Sequence, residues 1–191
     1  MRIGLNLLLL CVLAGCVTQN VDKDGNPIEG GTGKLEKELV LDKDGRIVGR
    51  PTLLIAPHTI IINGGTPTER EIKLLGVEGL PERDAPTTFA KTQEWMRKFL
   101  AEEEEIFIKP ALNADLKADV IYGIVYLYAR DEKTGGIRDN AYVIVNMALL
   151  SQGLVKIREA REIEDEWLRD RMIAAEKYAK DEKLGLWSNK P

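Results

Sequence analysis

The chain predicts an α+β fold, a small β-barrel with helices packed on it, and three observations carry that prediction. Short apolar runs separated by Gly, Asn and Pro turns come first, one helical pattern interrupts them, and helical patterns close the chain. Ile72 and Leu74 alternate with Lys73 as in a strand with one buried face. With 191 residues, 44% hydrophobic and 6% aromatic, the chain can bury one ordinary core, so a single domain is expected.

Residues 1–15 stand outside that domain. Arg2 gives a short positive start, Ile3 to Leu13 is an apolar run too short to span a bilayer, and Ala14 and Gly15 are small, which is the layout of a secretory signal. Leu13-Ala14-Gly15-Cys16 resembles the bacterial lipoprotein cleavage box, which implies cleavage before Cys16 and lipidation of that residue. The expected location is therefore the bacterial cell envelope, with the membrane reached through the lipid on Cys16. Val17 after the cysteine favours the outer membrane by resemblance to the sorting of Gram-negative lipoproteins. Cys11 leaves with the signal, so the mature chain keeps no free thiol for disulfides, metal or catalysis. The formal charge is −4, and loss of Arg2 makes it −5. That acidic balance disfavours nucleic acid as a partner.

After the lipidated Cys16, Val17 to Lys34 is polar and Gly-rich, a tether (16–34 with the cysteine) whose coil would span roughly 20–25 Å. The folded domain is expected over 35–191. Asp22-Lys23-Asp24-Gly25 and Asp42-Lys43-Asp44-Gly45 repeat one tetrapeptide, but neither has the Gly and Glu spacing of a calcium loop, so both read as Asp-Gly turns. The second joins strands at Leu39 to Leu41 and Arg46 to Val48.

Further strands are expected at Thr52 to Ile55, Thr59 to Ile62 and around Ile72, followed by a loop from Gly76 to Pro86. A helix follows from Thr87 to about Glu103, with Phe89, Met96, Phe99 and Leu100 near one face and Trp95 beside them. Its acidic end, Glu102 to Glu105, opposes the helix dipole and marks the exit. Strand patterns resume at Ile106 to Ile108, Val120 to Ala129 and Ala141 to Val145. A short helix, Met147 to Gln152, stops at Gly153, and a long one runs from about Arg161 to Lys183 with Leu168, Met172, Ala175 and Ala179 on its buried stripe.

Two segments then point to a family. Val145-Asn146-Met147-Ala148-Leu149-Leu150-Ser151-Gln152-Gly153-Leu154, and the ending Lys183-Leu184-Gly185-Leu186-Trp187, resemble the staphylococcal-nuclease-like (thermonuclease) family, and element order is similar from Leu53 to Trp187. The resemblance implies a barrel of the oligonucleotide-binding (OB) type. It also implies calcium-dependent phosphodiester cleavage: two carboxylates hold the metal, a glutamate activates water and two arginines grip the phosphate.

Carried onto this chain, those parts are altered. His58, in Ala56-Pro57-His58-Thr59, stands where the first metal carboxylate belongs, and its imidazole suits a transition metal better than calcium. As a lone imidazole it also reads as an ordinary loop histidine. Glu78 falls at the second metal position, and Glu82, after Pro81, at the catalytic glutamate, with one extra residue in Gly79-Leu80 shifting its aim. Lys73 takes the first arginine position, keeping charge but losing the planar fork. Tyr122 or an apolar neighbour takes the second, leaving Arg83 and Arg138 as loop arginines that could reach in. A catalytically inactive binding or scaffold module with a protein partner in the envelope is therefore expected, without a cofactor. The alternative is an altered extracytoplasmic phosphodiesterase or nuclease that uses calcium.

Overall fold

A computed structural model of the chain describes residues 38–188 except 102, 132, 133, 135, 159, 160 and 162, with 139 and 140 in backbone only. The signal, the tether and Cys16 lie outside the described residues.

The described residues form a mixed α+β structure, mostly sheet in its core, with three α-helices. In chain order the elements are β1 (Val40–Leu41), β2 (Ile47–Gly49), β3 (Pro51–Ala56), β4 (Thr59–Ile62), β5 (Arg70–Leu74), β6 (Val77–Glu78) and α1 (Pro86–Leu100). They continue with β7 (Ile106–Pro110), β8 (Val120–Arg130), β9 (Ile137–Ile144), α2 (Val145–Ser151), β10 (Lys156–Ile157), α3 (Glu166–Asp181) and a 3-10 turn, Gly185–Trp187.

The turn between β1 and β2 forms as its Asp-Gly chemistry requires. Asp42 Oδ1 accepts from the Asp44 and Arg46 amides at 2.9 Å each, and Gly45 takes φ +72°. Arg46, bonded through Nε to Asp42 at 2.7 Å, lies over the rings of Tyr142 at 4.8 Å and Phe107 at 5.1 Å. Cation–π attraction therefore ties this turn to β7 and β9.

The long strand β8 organises the main sheet. Its first half pairs in parallel with β5, from Glu71 opposite Val120 to Leu74 opposite Gly123. Its second half pairs antiparallel with β9, and its middle with β7. At Gly123 the approach of β7 leaves no room for a side chain: a Cβ would lie 2.5 Å from Ile108 Cγ2. The ladder runs β1-β2-β7-β8-β5-β4-β3, with β9 added at β8. It does not close by hydrogen bonds into the barrel that the sequence predicts, and β1 and β3 are its edges.

Apolar alternation decides which face is covered. Arg70, Ile72 and Leu74 of β5 point inward while Glu71 and Lys73 are half-buried. The core gathers Ile60, Ile62, Ile72, Ile108 and Ile121 from the sheet with Met96 of α1, Leu149 of α2 and Met172 of α3. Each such side chain contributes about 1.5–3 kcal/mol on burial.

The helices depart from the sequence expectation mainly at their ends. α1 starts one residue earlier because Pro86 occupies its first turn, and it ends at Leu100 with Arg97 and Lys98 in the last turn, leaving Glu103 outside to bond Arg130 at 3.1 Å. α3 starts later than Arg161, because the Asp165 side chain caps it by accepting from the Leu168 amide at 3.1 Å. β9 begins earlier than Ala141, and α2 spans Val145–Ser151. The expected loop from Gly76 contains β6, which pairs with β10 through Glu78 opposite Lys156. Two-residue strands carry no periodicity to read. Among the described residues no helix is long and apolar enough to cross a membrane.

Candidate functional site

Where β5 and β8 run side by side, Lys73 and Tyr122 line a cleft together with Val77 and Glu78 of β6. Lys73 of β5 lies opposite Tyr122 of β8, with its Nζ 5.9 Å from the Tyr122 ring centroid. Thr59 of β4 is its partner on the other side, so His58 arrives at the same place from the turn that precedes β4. The β6–β10 pairing brings Glu78 and, just beyond β10, Arg158, whose amide donates to Gly76 O at 3.1 Å.

These residues line one open cleft of about 660 Å³. His58, Lys73 and Glu78 are on its wall with Tyr122, Arg158 and Glu164. The structure thus brings together three of the four residues singled out for catalysis or metal binding. Glu82 is not on that wall. It is exposed in the turn closed by the Asp84 amide donating to Pro81 O at 3.0 Å. The loop arginines do not reach the cleft either: Arg83 Nε faces Asp84 at 3.5 Å and Arg138 Nη2 faces Asp131 at 3.3 Å.

Neighbours already answer much of the charge in the cleft. Lys73 Nζ is 3.4 Å from Glu71 Oε1, and Glu78 Oε2 is 3.4 Å from Lys156 Nζ. Half-exposed pairs of this kind are worth little in stability, but they set which charges a ligand meets. His58 packs against backbone: a Cβ on Gly79 would lie 3.2 Å from its Nδ1. That nitrogen is buried without a hydrogen-bond partner among the described residues. Burial pushes the imidazole below its ordinary pKa; Lys73 and Arg158 push the same way and Glu78 and Glu71 oppose them. These effects favour the neutral imidazole at His58.

The donor set does not fit calcium. That ion takes six to eight oxygens, whereas the predicted metal positions supply one imidazole and one carboxylate already facing Lys156. Glu164 adds a second carboxylate to the wall, but among the described residues no three His, Cys, Asp or Glu side chains gather as a metal cluster.

Arg158 and Glu164 were not legible as site residues. Nothing local marks them, since they reach the cleft only through the β6–β10 pairing and the turn before α3. No protein-family model matches the chain, and no curated protein matches it.

Proposed function

We propose that this chain is a binding module, with a nuclease-like OB-type barrel held at the bacterial envelope by lipid on Cys16, whose cleft takes a ligand without cleaving it. One observation carries the proposal: His58, Lys73, Glu78 and Arg158 share a cleft whose lysine and glutamate already face opposite charges, while Glu82 stays outside it. Hydrolysis of a phosphodiester needs a base within hydrogen-bond reach of the attacking water and donors aimed at the growing charge. Here Glu82, the base that the resemblance implies, is exposed outside the cleft, and Tyr122 or an apolar neighbour stands in place of the second arginine that the resemblance implies.

The pairing order supports the barrel. β2 and β3 are separated only by Arg50 in the chain, and the path runs from β2 through β7, β8, β5 and β4 to β3. That order is what supports the reading as a partly open five-stranded barrel, although hydrogen bonds do not close it. The acidic balance and the lipid on Cys16 favour an envelope ligand or protein partner over nucleic acid.

The full-length protein, purified in detergent and incubated with single-stranded DNA and calcium, is expected to release no more nucleotide than buffer does. Repeated turnover that disappears in Glu82→Ala overturns the proposal. Cys16→Ser is expected to move the protein out of the membrane fraction, and unchanged membrane association refutes the anchor. One observation favours the alternative, an altered phosphodiesterase: Arg158 brings a guanidinium to the wall that also holds Lys73 and Glu78. In that case the same assay gives a rate that Arg158→Met lowers.

A further inference from the structure

The charges around the cleft answer one another. Lys73 Nζ is 3.4 Å from Glu71 Oε1, Glu78 Oε2 is 3.4 Å from Lys156 Nζ, and Arg158 and Glu164 stand on the same wall with opposite signs. An anion brought to Lys73 meets Glu71 beside it, and a cation brought to Glu78 meets Lys156. An ion of either sign would therefore give up its water shell for partners that are already engaged. A purely apolar ligand fares no better, because it would cover these polar groups without bonding them. What the wall offers is hydrogen bonding to an uncharged molecule, since an ammonium or a carboxylate in one ion pair keeps further donors or lone pairs.

The same wall carries an aromatic surface. Tyr122 is 46% exposed, and its hydroxyl makes no hydrogen bond among the described residues. The Ala111 amide donates to Tyr122 O at 2.8 Å, which brings the next residue, Leu112, 66% exposed, to the same wall. A ring and a leucine left in water beside a polar wall suit a molecule with an apolar face and a hydroxylated rim. A sugar ring has both: its C–H bonds carry partial positive charge and lie well on the negative face of an aromatic ring, while each hydroxyl both donates and accepts. Lys73 Nζ stands 5.9 Å from the Tyr122 centroid, so a hydroxyl of a ring stacked there comes within its reach. A peptide strand is not favoured, because β5 and β8 have neighbours on both sides and offer it no edge.

We propose that the cleft takes an uncharged sugar, one ring stacked on Tyr122 beside Leu112 and its hydroxyls bonded to Lys73 and Glu78. This rests on the binding reading above and names its ligand class. The cleft volume of about 660 Å³ falls in the range of about 300–1,000 Å³ that small-molecule sites occupy.

Saturation-transfer NMR and titration calorimetry of the full-length protein in a zwitterionic detergent test the proposal. The probes are maltotriose, cellotriose and tri-N-acetylchitotriose, with deacetylated chitotriose as a cationic and trigalacturonate as an anionic control. At least one neutral trisaccharide is expected to bind with a Kd below about 1 mM, and raising sodium chloride from about 50 to about 500 mM should change that Kd by less than about twofold. Tyr122→Ala, at a half-exposed position outside the core, should weaken binding at least about fivefold, whereas Tyr122→Phe, which keeps the ring, should stay within about threefold. Unchanged binding by Tyr122→Ala overturns the stacking and the assignment with it. A charged trisaccharide that binds about tenfold more tightly than every neutral one means that the wall does select an ion, so the ligand class falls while the binding module stands. If no neutral trisaccharide binds below about 10 mM, the sugar is wrong. Nucleotide release in the nuclease assay, which no sugar result can produce, is what would bring down the binding reading itself.

Discussion

Asn146 is the residue whose removal should hurt this fold most for its size. It is fully buried in the first turn of α2, its Oδ1 accepting from the Val125 amide at 3.1 Å and its Nδ2 donating to Leu75 O at 2.9 Å. One side chain thus satisfies a β8 amide and the carbonyl that follows β5, next to the cleft floor. Asn146→Ala strands both backbone groups away from water at about 1–3 kcal/mol each, roughly 2–6 kcal/mol together. The better helix propensity of alanine returns only about 0.5 kcal/mol. Against a total stability of about 5–15 kcal/mol this is a large share. With a urea dependence near 2 kcal/mol per molar, the unfolding midpoint should fall by about 1–3 M at unchanged slope. Circular dichroism of wild type and variant across a urea series measures it. A midpoint shift under about 0.3 M with the same slope would refute the claim that these two bonds hold α2 to the sheet.

Gly153→Ala should be comparably damaging, because a Cβ there would lie 2.3 Å from Leu184 O at φ +64°, whereas at Gly45 nothing lies within 4 Å. We expect a thermal midpoint at least about 6 °C lower for Gly153→Ala and about half that change or less for Gly45→Ala; equal shifts would show that the contact is not what matters. His58, the only histidine, reports on the cleft by proton NMR. Its pKa lies below the ordinary value through burial, so Lys73→Met should raise it and Glu78→Gln should lower it further; shifts in the opposite order would mean that the three do not share a site. Because the unfolded chain takes up that proton first, stability should be full above about pH 6.5 and decline as pH falls below it, and His58→Gln should flatten the decline.

The elements were legible where burial imposes a period. Ile72 and Leu74, Leu168 and Met172, and the Asp42–Gly45 turn all stand as their spacing predicts. Val145-Asn146 and Leu184-Gly185-Leu186-Trp187, the segments that carry the family resemblance, have packing roles: Asn146 bridges helix and sheet, and the Leu186 amide donates to Gly153 O at 2.7 Å. The site was half legible. His58, Lys73 and Glu78 lie on or beside strands whose register follows from hydrophobic alternation. Glu82 sits in a loop whose direction no pattern encodes, and Arg158 arrives through a two-residue pairing. Ladder closure is likewise a property of how strands bend, which composition does not report.

The parallel seam between β5 and β8 has a consequence for how the protein comes into being. Strands that run the same way cannot be joined by a tight turn, so everything from Leu75 to Asp119 must be looped out before Lys73 can meet Tyr122. Closing a loop of that length carries an entropic cost that slows folding. The seam is also where the cleft opens, and Arg158 lies farther still along the chain. A chain in which that seam has not yet formed lacks the cleft. Any molecule that binds only the folded form shifts the equilibrium toward it by mass action.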